Sequence, residues 1–374
     1  MAQLDEFLAV HPDIKYIWLQ FVDYTGIVRL KMVPIAEFKR QVRTQSRPGI
    51  TTGVFYLLQD DHLATGGSAT GQFYMEPDLS TLSINAGLAS NSACVMNFWR
   101  QPNGEYIEGC PRTTLARIVD EAKRDFGMTF LLGFEIEVVF VKPVFDESTG
   151  EITTFDLWHK NHAWASLTYQ SRAALPMVEE IVETLAEIGI PLPLFHAEAA
   201  PGQWEFVLPP YPPLQAVDVL IRARQTISVV AEKYGLRATL YPRPYPWTCG
   251  TASHAHFSVS PPSRESAFLA GVLEHLPAVL AFTMPMEPSY ERLASGIWSG
   301  GEYVAWGSQN REMPLRKIED GHYELKCCDG LANMYFGMAA LLGSGLLGVM
   351  EDMKLTLKDC PGKSSSAESI DLVS

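Results

Sequence analysis

The chain has 374 residues, 47% hydrophobic and 19% charged, with a net charge of −14 and a pI near 5.1. That length and apolar content suit a globular protein of two domains, and an acidic balance without a Lys/Arg block argues against a nucleic-acid partner. The N-terminal MAQLDEFLAVHPD lacks a leader pattern, no run approaches a membrane span, and the cysteines form no CxxC pair, so a cytoplasmic protein with reduced thiols and no membrane association is expected.

From Lys15, IWLQFVDYTGIVRLKMVP alternates apolar and polar residues on both sides of a Thr25-Gly26 turn, which predicts a hairpin leading into a short helix over Ile35 to Thr44. The stretch from Gly49 to Asn97 is rich in Gly, Ser, Thr and Asp and leaves its strands undefined. After QPNGEYIEGCPR the texture changes to alternating helices and strands, beginning with a helix from Thr113 to Phe126. A boundary near residue 108 gives domains 1–108 and 109–374. Helical periodicity then predicts Ala174 to Ile188, Leu214 to Tyr234 with Gly235 just past its end, Ser263 to Phe282, and Asp329 to Met350. The tail from about residue 358, KDCPGKSSSAESIDLVS, reads as disordered by composition.

Thr129 to Val141 reads TFLLGFEIEVVFV, a buried strand interrupted by two carboxylates. A period of two puts Glu135 and Glu137 on one face and Phe134, Ile136 and Val138 on the other. Alone, the pair reads equally as a solvated edge or as a metal site. The pattern recurs. FHAEAAPGQWEFVL sets Glu198 and Glu205 in apolar strand contexts, CGTASHAHFSVS puts His254 and His256 on one face, and GHYELKC puts His322, Glu324 and Lys326 on one face. Several carboxylates with one imidazole suit Mg²⁺ or Mn²⁺ better than zinc, and paired divalent ions typically clamp nucleotide phosphates. Arg292, Arg311, Arg316 and Lys326 supply positive charge for an anionic substrate and for charge developing on a transferred phosphoryl group.

In order and spacing, GFEIE, EAAPGQWE, GTASHAHFS, SYERL, NREMPLR and YELKCCDGLANMY resemble the glutamine synthetase superfamily across roughly residues 15 to 350. The resemblance implies an α+β protein: a small N-terminal β-grasp domain, then a catalytic domain whose curved antiparallel sheet is flanked by helices. It also implies homo-oligomers with active sites between subunits; the C-terminal helices of longer members, used between rings, are not recognisable. Carried over, Glu137, Glu198 and Glu205 are similar to the ligands of one metal and Glu135, His254 and Glu324 to those of another, with two or three Mg²⁺ or Mn²⁺ in all. Arg311 and Arg316 resemble phosphate-contacting arginines, Gly250 and Arg292 contacts to substrate glutamate, and His256 a neighbour of ATP.

The chain departs from the family pattern at informative positions. Ammonia-using members carry a flap glutamate where this chain has Trp298, and the first-domain aspartate of the ammonium site is not recognisable in RPGITTGVF. Lys326 stands where an arginine usually grips the substrate carboxylate, His322 where many members have a phosphate-contacting arginine, and Ala252 replaces a motif glycine. The resemblance therefore implies an ATP-dependent ligase that forms a γ-glutamyl amide from glutamate or a related acid and an organic amine through a γ-glutamyl phosphate. It is similar to the γ-glutamylpolyamine branch and to synthetase-like domains of fungal proteins, with Trp298 facing the amine. The alternatives are an ordinary ammonia-using glutamine synthetase and a non-catalytic structural or regulatory member.

Overall fold

The structure, a computed structural model, describes residues 2–160, 163–293, 299–300, 302–362 and 370–371. The chain divides into two compact units, Met1–Arg117 and Ile118–Ser374.

The first unit starts with α1 (Ala2–Val10), the hairpin β1 (Tyr16–Val22) and β2 (Val28–Pro34), and α2 (Ile35–Thr44). The predicted turn is built by Asp23, whose carboxylate accepts the backbone N–H groups of Thr25 and Ile27, and by Gly26, whose φ of +85° suits a residue without Cβ. The stretch that the sequence left undefined supplies β3 (Gly49–Thr51), β4 (Gln72–Pro77), β5 (Ser83–Ile84) and β6 (Ser92–Arg100). The sheet order is β2-β1-β6-β4-β3 with β5 on β6, and β1 and β6 run parallel, the mixed sheet of a β-grasp unit. Ile17, Leu19, Phe21, Phe38, Val95 and Trp99 are among its buried core residues.

The division between units falls within α3 (Pro111–Phe126). The second unit is organised on β7 (Thr129–Phe145), a 17-residue strand. Around it the chain lays β8 (Ile152–Leu157), α4 (Tyr169–Glu187), β9 (Leu194–Ala197), β10 (Gln203–Val207), α5 (Pro213–Lys233), β11 (Arg237–Thr239) and β12 (Ala255–Ser260). Then come α6 (Glu265–Glu274), α7 (Leu276–Thr283), α8 (Glu287–Tyr290), β13 (Tyr303–Val304), β14 (Trp306–Ser308), β15 (Leu315–Glu319), β16 (His322–Leu325) and α9 (Met334–Met350). A short β17 (Ile370–Asp371) pairs with β13.

The large sheet has the order β14-β15-β16-β12-β7-β10-β9, with β8 and β11 also on β7. All its pairs are antiparallel except β14 with β15, where a loop opened by Gln309 at φ +53° returns the chain alongside. Helix α5 packs on β7, α4 packs on α5, and α9 packs on α6 and α7.

Three helices differ from expectation for local reasons. Helix α4 starts at Tyr169 rather than Ala174, where the Thr168 side chain caps the Ser171 N–H. The segment Ser263 to Phe282 is not one helix: α6 and α7 meet at a 72° bend. Pro277, in the first turn of α7, has no N–H to donate and its ring would clash with the carbonyl four residues back, which favours a break just before it. The last helix starts at Met334 rather than Asp329, because the Asn333 side chain caps the N–H groups of Tyr335 and Phe336, while Asp329 accepts from Leu331 in a turn of its own. Within the tail, Asp359 accepts the Ser308 N–H and Cys360 is buried, while residues 363–369 and 372–374 lie outside the described residues. No single helix among the described residues is long and apolar enough to cross a membrane.

Candidate active site

Cross-strand neighbours point to the same side of a sheet, so strand register decides which polar side chains meet. Two rows form on one face. Across β15, β16, β12 and β7, Arg316 opposes Glu324, Glu324 opposes His256, and His256 opposes Gly133. Across β9, β10 and β7, His196 opposes Glu205, which opposes Glu137. Gly133, Glu135 and Glu137 alternate on β7, so Glu135 lies between the rows and joins them. The period of two that put Glu135 and Glu137 together is therefore observed, and its partners come from strands distant in sequence.

His254, only 6% exposed, is the hinge of the cluster. Its Nδ1 lies 3.0 Å from Glu135 Oε2, 3.4 Å from Glu324 Oε1 and 3.7 Å from Glu137 Oε1. Its Nε2 is buried with no hydrogen-bond partner among the described residues. His256 Nε2 lies 3.0 Å from the other oxygen of Glu135, and its Nδ1 lies 3.0 Å from His322 Nε2. Glu324 is flanked by Arg316 Nη1 at 3.1 Å and Lys326 Nζ at 3.4 Å. Arg292 donates to the carbonyls of Thr251 and Lys326, bracing the segments that carry Gly250 and Lys326.

Electrostatics divides the carboxylates. Burial pushes Glu135 up, but hydrogen bonds from His254 and His256 outweigh it and hold the carboxyl well below the usual range. Glu324, likewise desolvated, is held at about 2 by the charges of Lys326 and His254. Glu137 is driven well above its ordinary value by burial and by Glu198 and Glu205, and Glu198 is driven to about 7 by burial and Glu205. His196 rises to about 9 through its hydrogen bond to Glu205.

This donor set fits divalent cations. Like-charged oxygens crowd together with too little positive charge to satisfy them, and a buried imidazole nitrogen has no partner among the described residues. Three groups hold their ligand atoms within 4.8 Å of one another: Glu135, His256 and Glu324; Glu135, Glu205 and His254; and His196, Glu198 and Glu205. The two expected ligand sets therefore overlap through Glu135 and Glu205. Glu137 is turned toward Gln203 and the Ala252 N–H, at 2.8 and 3.0 Å, and His196 stands with Glu198 and Glu205.

Glu137, Glu198, Gln203, Cys249, Gly250, His254, Arg292 and Ser299 line a small cavity of about 40 Å³, which joins predicted metal ligands to the predicted substrate contacts. Gly250 is required by packing, since a Cβ there would lie 2.4 Å from the Pro242 carbonyl oxygen. A larger, mainly apolar cavity of about 430 Å³ includes Leu131, Gly133, Phe134, Leu208, His256 and His322 in its wall. Arg311 is exposed and forms no ion pair among the described residues, so the described structure does not draw it into the cluster. Trp298 lies outside the described residues.

Sequence reasoning missed His196 and Gln203. Both carried a readable signal: His196 alternates with Glu198, and Gln203 with Glu205, at the same period of two. Gln203, 1% exposed, donates to Glu137 and to the Gly250 carbonyl at 2.9 Å and accepts the Ala200 N–H, tying the Pro-Gly turn to the cavity.

The sequence matches the family described as "Glutamine synthetase, catalytic domain" over residues 108–360. It is 56% identical over 366 residues to the protein fluG of Emericella nidulans, covering 97% of this chain and 42% of that protein, so the chain spans less than half of that relative. It is 28% identical over 363 residues to the gamma-glutamylpolyamine synthetase GlnA3 of Streptomyces coelicolor, covering 90% of this chain and 76% of that protein. A solved ADP complex of GmaS has the same fold, with a TM-score of 0.83 at 23% identity over 100% of this chain and 88% of that one.

Proposed function

The chain belongs to the glutamine synthetase family, whose members are ATP-dependent ligases, and we propose that it joins the side-chain carboxylate of glutamate, or of a related acid, to an organic amine. In the first step a carboxylate oxygen attacks the γ-phosphorus of ATP, the bond to the β,γ-bridging oxygen breaks, and ADP leaves an acyl phosphate. In the second the amine nitrogen attacks the acyl carbon, phosphate departs, and the nitrogen loses a proton.

What carries this reading is the convergence of Glu135, Glu137, Glu198, Glu205, His254 and Glu324 beside the fixed cations Arg316 and Lys326. These six residues, with His196 and His256 beside them, would hold two or three Mg²⁺ or Mn²⁺ ions. Bound there, such ions would supply charge neutralisation for the ATP phosphates and the transferred group. Arg316 adds a donor of its own, for its Nε is buried without a partner among the described residues and can meet an anionic oxygen. In this reading the base and ribose of ATP occupy the 430 Å³ cavity beside His256 and His322, and the acid substrate enters beside Gly250 and Arg292. An organic amine is favoured over ammonia because Trp298 replaces the flap glutamate and the first-domain aspartate is not recognisable.

Positional isotope exchange tests the first step. With glutamate and Mg²⁺ but no amine, label in the β,γ-bridge of ATP should scramble to the β-nonbridge positions at a rate set by glutamate. Scrambling that glutamate and related acids never stimulate would contradict the acyl-phosphate route.

A further inference from the structure

We propose that Trp164 is the platform for the carbon skeleton of the amine, and that the substrate is a primary amine carrying an apolar arm. The inference rests on the ligase reading above. Trp164 is 60% exposed although its indole N–H donates to Glu198, a carboxylate that lines the 40 Å³ cavity. Its ring also meets His196 edge-on, with centroids 6.0 Å apart. The polar edge of the indole is thus committed to the carboxylate cluster, while a broad aromatic face stays open beside it.

The backbone holds it there. Ala165 takes a left-handed conformation at φ +48° and donates to the carbonyl of Ala197, the residue between His196 and Glu198, at 2.8 Å. The turn is closed by the Ser166 N–H on the Ala163 carbonyl at 3.1 Å. A non-glycine residue in that region is costly, so the surroundings fix the turn, and with it the tryptophan, against the strand that carries Glu198.

An ammonium group resting near Glu198 would leave its substituent over the indole face, where dispersion and cation–π attraction both act. The arm is assigned as apolar because Leu167 and Tyr169, on the same short segment, are 54% and 81% exposed, and AWASLTYQ contains no carboxylate to meet a second ammonium.

Wild type, Trp164→Ala and Trp164→Phe would be given ATP, Mg²⁺, glutamate and an equimolar mixture of benzylamine, putrescine and hydroxylamine, with products read by mass spectrometry. The ratio of benzylamide to hydroxamate should fall at least about tenfold in Trp164→Ala and be largely retained in Trp164→Phe, which keeps an aromatic face. Equal loss of all products in Trp164→Ala, or a wild-type preference for putrescine, would overturn the proposal. If wild type turns over none of the amines, the ligase reading fails by itself; calorimetry of benzylamine with Mg²⁺ and ADP then decides about Trp164. Binding to wild type that Trp164→Ala loses would sustain the platform, and absence of binding to wild type would end it.

Discussion

Replacing Gln203 with leucine removes three buried hydrogen bonds and little volume: 2.8 Å to Glu137, 2.9 Å to the Gly250 carbonyl and 2.9 Å from the Ala200 N–H. Each bond contributes about 1 kcal/mol net, so the loss is roughly 2–4 kcal/mol. For a unit of this size that lowers the melting temperature by on the order of 10 °C. Glu137 is already held well above its usual range by burial and by Glu198 and Glu205, and losing a donor disfavours its ionised form further. Mn²⁺ affinity should therefore drop by about 10- to 100-fold, as for other partners that orient a ligand. Differential scanning fluorimetry and calorimetric Mn²⁺ titration read the two effects. A Gln203→Leu protein that melts within about 2 °C of wild type and binds Mn²⁺ equally well would refute this account of the cavity.

Three further outcomes follow from the same geometry. Glu135→Gln and Glu324→Gln should each cut glutamate-dependent phosphate release by about 100- to 1,000-fold with an unchanged circular dichroism spectrum, since each removes a charge from the crowded donor set; substantial residual turnover would remove these residues from the site. Gly250→Ala forces a Cβ to 2.4 Å from the Pro242 carbonyl and 3.1 Å from Arg292, so it should cost about 1–3 kcal/mol in denaturant unfolding and raise the KM for the acid; a neutral effect on both would contradict the packing. Glu198 has its carboxyl raised from 4.5 to about 7 by burial and by Glu205, so its contribution to stability is fully present below pH 4.5 and is lost as pH rises through about 7. Cation binding needs the ionised form, so the melting shift produced by Mg²⁺ should grow between pH 5.5 and 7.5; a shift independent of pH in that window would show that Glu198 does not bind the ion.

Much of the site was legible because a strand's period of two is a local rule. The shared faces of Glu135 with Glu137, and of His322, Glu324 and Lys326, follow from alternation alone. Their assembly into one cluster does not, because it depends on β7 accepting β12 along one edge and β10 along the other, with partners more than fifty residues away in sequence. Gln203 was overlooked for that reason: its importance lies in reaching Glu137 and Gly250, neither of which is near it in sequence. Helices were readable where the pattern was regular and failed where single residues decide, as with Pro277 breaking one predicted helix and Asn333 setting the start of another. In the first unit, alternation found the β1–β2 hairpin, whereas β3 and β4 are short, polar at their ends and defined by pairing rather than by local pattern.

The most direct measurement is phosphate release from ATP with Mg²⁺ and L-glutamate, comparing ammonium with mono-amines, diamines, polyamines and aromatic amines, and identifying the products by mass spectrometry. The account predicts a γ-glutamyl amide of an organic amine formed with a kcat/KM well above that for ammonium. Preference for ammonium would make the protein an ordinary glutamine synthetase, and silence with every amine, in protein shown to bind ATP and metal, would contradict the ligase assignment.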